Sequence, residues 1–220
     1  MPATTVLEIG LAALLDVVVL LLLAKGPLRR FPFAFVFCSV QLVINAAETV
    51  ISFSIGSRTK FYTQFYWAAD MVAHLCILLV IVALIYRVMA GNPMQKWAPA
   101  AGVLAGVAVG VVSLVFYHAP LLSKWMTPVT RNLSFTEEIL NFVLWGLLLE
   151  KRDYDRQLLM VSAGIGIQVT GEVIGHTLRI YATSSIVWLP NFLVFVCEIL
   201  CLLIWIAAFL PSKSAEPVKV

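Results

Sequence analysis

The stretch "FYTQFYWAADMVAHLCILLVIVALIYRVM", Phe61 to Met89, joins two patterns in one segment. From Cys76 to Tyr86 it has no polar interruption, and about 20 such residues suffice for a helix to cross a bilayer. Its first half sets Trp67, Asp70 and His74 three and four residues apart, which is one face of a helix. An ionisable group at the bilayer centre costs about 2.5–3.5 kcal/mol on insertion scales, so that face must turn away from lipid.

The rest of the chain repeats this theme. Of 220 residues, 61% are hydrophobic and only 12% charged, with mean hydropathy +0.97, far from the balance of a soluble domain. The net charge of +3 is spread over isolated basic residues between apolar runs, which excludes a nucleic-acid face. Cys38, Cys76, Cys197 and Cys201 all lie in apolar segments and form no CxxC motif or disulfide framework. The first positive charge, Lys25, follows the first apolar run, so this run reads as a retained helix and not as a signal peptide.

Seven segments qualify as spans: about 5–25, 31–56, 61–89, 98–118, 128–150, 156–182 and 187–210. The expected fold is an all-α integral membrane protein, a single seven-helix domain over 1–220. On one side the connections and the C-terminal tail carry ten basic residues: Lys25, Arg29, Arg30, Arg87, Lys96, Lys151, Arg152, Arg156, Lys213 and Lys219. The other side carries five, Arg58, Lys60, Lys124, Arg131 and Arg179. The positive-inside rule then predicts the N-terminus outside and the C-terminus inside, in a plasma (inner) membrane. Trp67, Trp97, Trp125 and Trp188 fall near helix ends, as an interfacial belt would.

The fourth segment, "APAAGVLAGVAVGVVSLVFYH", is rich in small residues, with Ser113 its only polar residue before Tyr117 and His118. Around it the chain weakly repeats: "AETVIS" (Ala47–Ser52) aligns with "GEVIGH" (Gly171–His176), and "HLCILLVIVA" (His74–Ala83) with "EILCLLIWIA" (Glu198–Ala207). Both anchors share an offset of 124 residues, which points to a parallel duplication of 5–89 and 128–210, with the fourth helix as linker. This 3+1+3 layout resembles the topology of SWEET-type sugar transporters, although the chain has no Pro-Gln pair and so lacks the PQ-loop signature. Microbial rhodopsins share the helix number, but 187–210 contains no lysine to hold retinal.

Five segments bring polar stripes at helical spacing. They are Gln41, Asn45 and Glu48; Trp67, Asp70 and His74; Ser134, Glu138 and Asn141, with Glu137 beside them; Gln168, Glu172, His176 and Arg179; and Asn191 with Glu198. Glu48, Asp70, His74, Glu138, Glu172, His176 and Glu198 fall at similar depth in the outer half, above apolar inner halves. A polar cavity over an apolar plug is the expectation, with Arg179 at its mouth. Asp16 stands apart, with Asn141 or a backbone group as its expected partner. "NLS" at Asn132–Ser134 fits a glycosylation acceptor by pattern, and "KRDYDR", Lys151–Arg156, reads as a cytoplasmic turn.

Carboxylates outnumber basic groups in this set, so the cavity either holds protonated carboxyls or takes up a cation. Asp70-x-x-x-His74 and Glu172-x-x-x-His176 each place a carboxylate and an imidazole one turn apart, which suits zinc or iron, with Glu198 as a further ligand. HExxH and HxxxH are absent, and the spacing departs from the Glu-x-x-His of di-iron bundles. Haem on His74 and His176 fits poorly among acidic neighbours. Three functions follow in order: a proton- or cation-coupled carrier of a small polar solute or cation, a metal-dependent hydrolase at the outer leaflet, and a ligand receptor with a separate effector. The expected partners are lipid, a small polar solute or cation, and either a second copy of the chain or a separate effector.

Overall fold

The computed structural model describes residues 3–56, 59–116, 122–150, 155–181, 186 and 188–210. Expectations for Arg58, Tyr117, His118, Lys151, Arg152, Lys213 and Lys219, and for the side chains of Lys124 and Trp125, fall outside what is described. The α-helices are α1 (Ala3–Lys25), α2 (Pro32–Ser54), α3 (Lys60–Val88), α4 (Ala98–Phe116), α5 (Leu122–Glu150), α6 (Arg156–Tyr181) and α7 (Trp188–Phe209). Short 3-10 turns lie at Pro27–Arg29 and Pro93–Lys96.

Local chemistry sets the boundaries. Thr59 caps α3 by accepting a hydrogen bond from the Tyr62 amide at 3.2 Å, and Pro32 opens α2, where its missing N–H costs nothing. Gly91 turns the chain after α3 at φ +88°, a conformation that other residues rarely adopt. α5 starts six residues before the expected 128, and Pro128 lies inside it. As the seventh residue of α5, Pro128 removes one intrahelical hydrogen bond in the second turn.

Five helices, α1, α2, α3, α6 and α7, are long and apolar enough to cross a membrane. The chain is thus a multi-pass helical membrane protein. Among the described residues α4 offers the shorter apolar stretch Ala98–Ser113, and α5, which carries Arg131, Glu137, Glu138 and Glu150, is not among the five. Large apolar side chains cover the outside of the bundle: Val72, Leu75 and Leu79 are exposed on α3, whereas His74, Ile77 and Ile81 on the same helix are buried. In water that surface would be a liability; against acyl chains it is the solvated face.

The helices pack as a ring in the order α1, α2, α3, α5, α6, α7 and back to α1, with α4 outside it against the α3–α5 seam. Gly102 and Gly106 of α4 lie directly on Val82 and Leu78, where an added Cβ would clash. At the α6–α7 contact, Gly164, Gly171 and Gly175 meet Trp205, Cys197 and Val194 equally closely, so small residues at these points let the backbones approach. The Trp205 indole N–H also donates to the Val161 carbonyl at 3.0 Å.

The two ends of the ring differ. Where α1, α3, α5 and α7 finish, Leu23, Phe37, Ile81, Leu144, Val161 and Trp205 belong to one buried apolar cluster. Arg30 closes this end by pairing with Asp155 and donating to Gln157 at 2.9 Å, while Arg87 donates to the Arg30 carbonyl at 2.9 Å. The opposite end is polar inside. Trp97 and Trp188 are exposed near helix starts, but Trp67 is buried against Tyr66, so it is a packing residue and not part of an interfacial belt.

Candidate functional site

At the polar end a cavity of about 170 Å³ lies among α2, α3, α6 and α7. From α2 it receives Asn45 and Glu48, with Gln41 one turn deeper, and from α3 Asp70 and His74. Gln168, Glu172, His176 and Arg179 come from α6 at spacings of four, four and three, and Glu198 comes from α7. Six of the seven ionisable residues expected at one depth, Glu48, Asp70, His74, Glu172, His176 and Glu198, therefore share one cavity wall. Both pairs separated by 124 residues, Glu48 with Glu172 and His74 with Glu198, are in it.

Three residues stand elsewhere. Glu138 turns away from the cavity and accepts a hydrogen bond from Thr170 at 3.0 Å. Asn141 is buried beside Gly166 but outside the lining. Asn191 is exposed and accepts from Arg179 Nε at 2.9 Å, which anchors that guanidinium at the rim. The correction at Glu138 has a helical cause. Thr130, Ser134, Glu137, Asn141, Leu144 and Leu148 form the buried stripe of α5 at alternating spacings of four and three, and Glu138 flanks it by 100°. Glu137 is the inward carboxylate; the continuous stripe through Leu144 and Leu148 is the sequence signal that distinguishes it.

The centre of the site is His74, 3% exposed. Its Nδ1 lies 3.2 Å from Glu137 Oε2 and 3.7 Å from Glu172 Oε2, and Glu172 Oε1 accepts from Gln168 Nε2 at 3.3 Å. The His74 and His176 ring centroids are 6.2 Å apart. Ligand atoms of Asp70, His74 and His176 lie within 4.8 Å of one another, as do those of His74, Glu137 and Glu172. The ligand set expected from sequence thus divides around His74, Glu137 joins it, and Glu198 belongs to neither group.

Several buried polar atoms here make no hydrogen bond: Gln41 Oε1, Asn45 Nδ2, Asp70 Oδ2, Glu172 Oε2, which lies in ion-pair range of His74, and His176 Nδ1. Native interiors leave few such atoms, so these are available to whatever enters the cavity. Its volume accommodates on the order of five waters at ~30 Å³ each, far less than a haem or a sugar-sized pocket of ~300–1,000 Å³ needs. Deeper, Asp16 is fully buried on α1 near Glu198, with the Cys38 thiol beside its carboxyl. It does not pair with Asn141, because α1 packs on α2 and α7 and α5 lies across the ring.

No family model matches the chain, and no curated protein or solved structure does either.

Proposed function

We propose that the chain is a carrier that moves a proton or a small cation through a seven-span bundle, by way of the cavity formed by α2, α3, α6 and α7. The observation that supports this most is the gathering of Glu48, Asp70, Glu172 and Glu198 around one small cavity that abuts an apolar plug. Carboxylates at such depth serve as relays or ion ligands when they are not simply paired, and only part of this set finds a partner. The size of the cavity favours an ion or proton over a larger solute. Asp16, near Glu198, offers the next carboxyl on the way through the plug.

The ring order lends support to the parallel duplication, since α3–α5 and α7–α1 are the junctions that a two-fold axis along the ring would exchange, with α4 as the outside linker. The excess of basic residues at the plugged end supports an N-out, C-in orientation with the cavity facing outward. A second reading, a metal-dependent membrane hydrolase, draws on the His–carboxylate clusters, which would activate water if loaded with zinc or iron.

Glu172→Gln tests the carrier. Reconstituted in proteoliposomes, the wild type should take up protons or a monovalent or divalent cation down an imposed gradient, and the variant should lose at least about tenfold of that flux while remaining folded, as expected when a relay carboxyl is removed. Wild-type vesicles no leakier than protein-free vesicles to any of these ions would refute the carrier.

A further inference from the structure

We propose that Asp70, His74 and His176 form a binding site for one divalent transition-metal ion, with Glu137 as the positioning residue that orients His74. This deepens the carrier reading, on which it rests for the ion's path but not for its ligands.

The three ligands come from two helices that touch. Asp70 and His74 are one turn apart on α3, and His176 reaches them from α6. Ligands at ~2.0–2.2 Å from a common ion stand at most about 4.2 Å from each other, so donor atoms within 4.8 Å need only a small inward rotamer adjustment. Two imidazoles with one carboxylate suit zinc, iron(II) and similar ions rather than calcium or magnesium, which demand more oxygens.

Two further observations point to a ligand. His176 is 3% exposed, yet its Nδ1 has no hydrogen-bond partner, which leaves a nitrogen available deep in the cavity. His74, by contrast, has its Nδ1 within 3.2–3.3 Å of both Glu137 oxygens. A carboxylate that accepts a hydrogen bond from Nδ1–H fixes the ring's tautomer and orientation and leaves Nε2 with its lone pair free for a metal, the arrangement that accompanies ligating histidines generally. Glu137 is itself 2% exposed and comes from α5, so it holds the ring from outside the ligand set.

Three protein ligands leave positions open for water, unlike the closed four-ligand shell of a structural zinc. The open positions give the ion room for water or a further ligand as it enters or leaves. Glu172, 3.7 Å from His74, supplies further negative charge beside the site.

The test is metal binding by the purified full chain, stripped of metal and titrated with Co²⁺ and with Zn²⁺, with bound metal measured by elemental analysis and the Co²⁺ visible spectrum. One ion per chain is expected. His176→Asn and Asp70→Asn should each weaken binding more than about 100-fold, and Glu137→Gln about 10–100-fold with stoichiometry kept, the range for a supporting carboxylate. His118→Asn, which alters the remaining histidine of the sequence, should bind as wild type does. Less than stoichiometric metal on the folded wild type, unchanged affinity in folded His176→Asn, or an equal loss in His118→Asn would overturn the site. Bound metal without ion flux would overturn the carrier alone, and proton flux without bound metal would overturn the site alone.

Discussion

His74 Nδ1 and the Glu137 carboxylate meet at 3.2 Å between α3 and α5, both side chains almost fully buried. Glu138, its neighbour in sequence, instead reaches Thr170 near the surface. The two glutamates therefore predict opposite outcomes. Glu137→Gln should lower stability by about 1–3 kcal/mol, the cost of a poorly satisfied buried partner, whereas Glu138→Gln should cost less than about 1 kcal/mol. Thermal unfolding of the two variants in the same detergent measures the difference, and equal losses would contradict the assignment of Glu137 as the inward carboxylate.

The α6–α7 contact makes a second prediction. An added Cβ at Gly171 would overlap Cys197, but at Gly110 on α4 it would meet nothing within 4 Å. Gly171→Val should therefore destabilise by about 1–3 kcal/mol through overpacking. Gly110→Ala should be neutral or slightly stabilising, since it replaces a helix-interior glycine. Unfolding midpoints of the pair decide this, and a Gly171→Val protein as stable as wild type would show that the helices pack less closely there.

Orientation is testable at two exposed lysines on opposite ends of α3 and its following turn, Lys60 and Lys96. In a background with the four native cysteines replaced, Lys60→Cys should react with a membrane-impermeant maleimide on intact cells. Lys96→Cys should react only after permeabilisation. The reverse pattern would place the cavity on the cytoplasmic side and invert the proposed direction of loading.

Much of this protein was determined by sequence alone. Apolar runs of bilayer length cannot be satisfied in water, so membrane helices follow from composition, and the polar stripes at Asn45–Glu48, Asp70–His74 and Gln168–Arg179 announce one inward face on each of three helices. What sequence could not decide is which stripes meet. Spacing among the polar residues left Glu137 and Glu138 nearly equivalent, 100° apart on one helix; the apolar continuation through Leu144 and Leu148 favours Glu137, and the packing of α5 against α3 and α6 gives that stripe its partners. Spacing likewise grouped Glu172 with His176, one turn apart, while the fold groups donor atoms of His176 with those of Asp70 and His74 and those of Glu172 with Glu137 and His74. The reason is physical. Periodicity fixes the direction of a side chain around its own axis, but the distance between side chains on different helices depends on how closely the backbones approach, and that is set by glycines at the contacts and by the order of the helices in the ring.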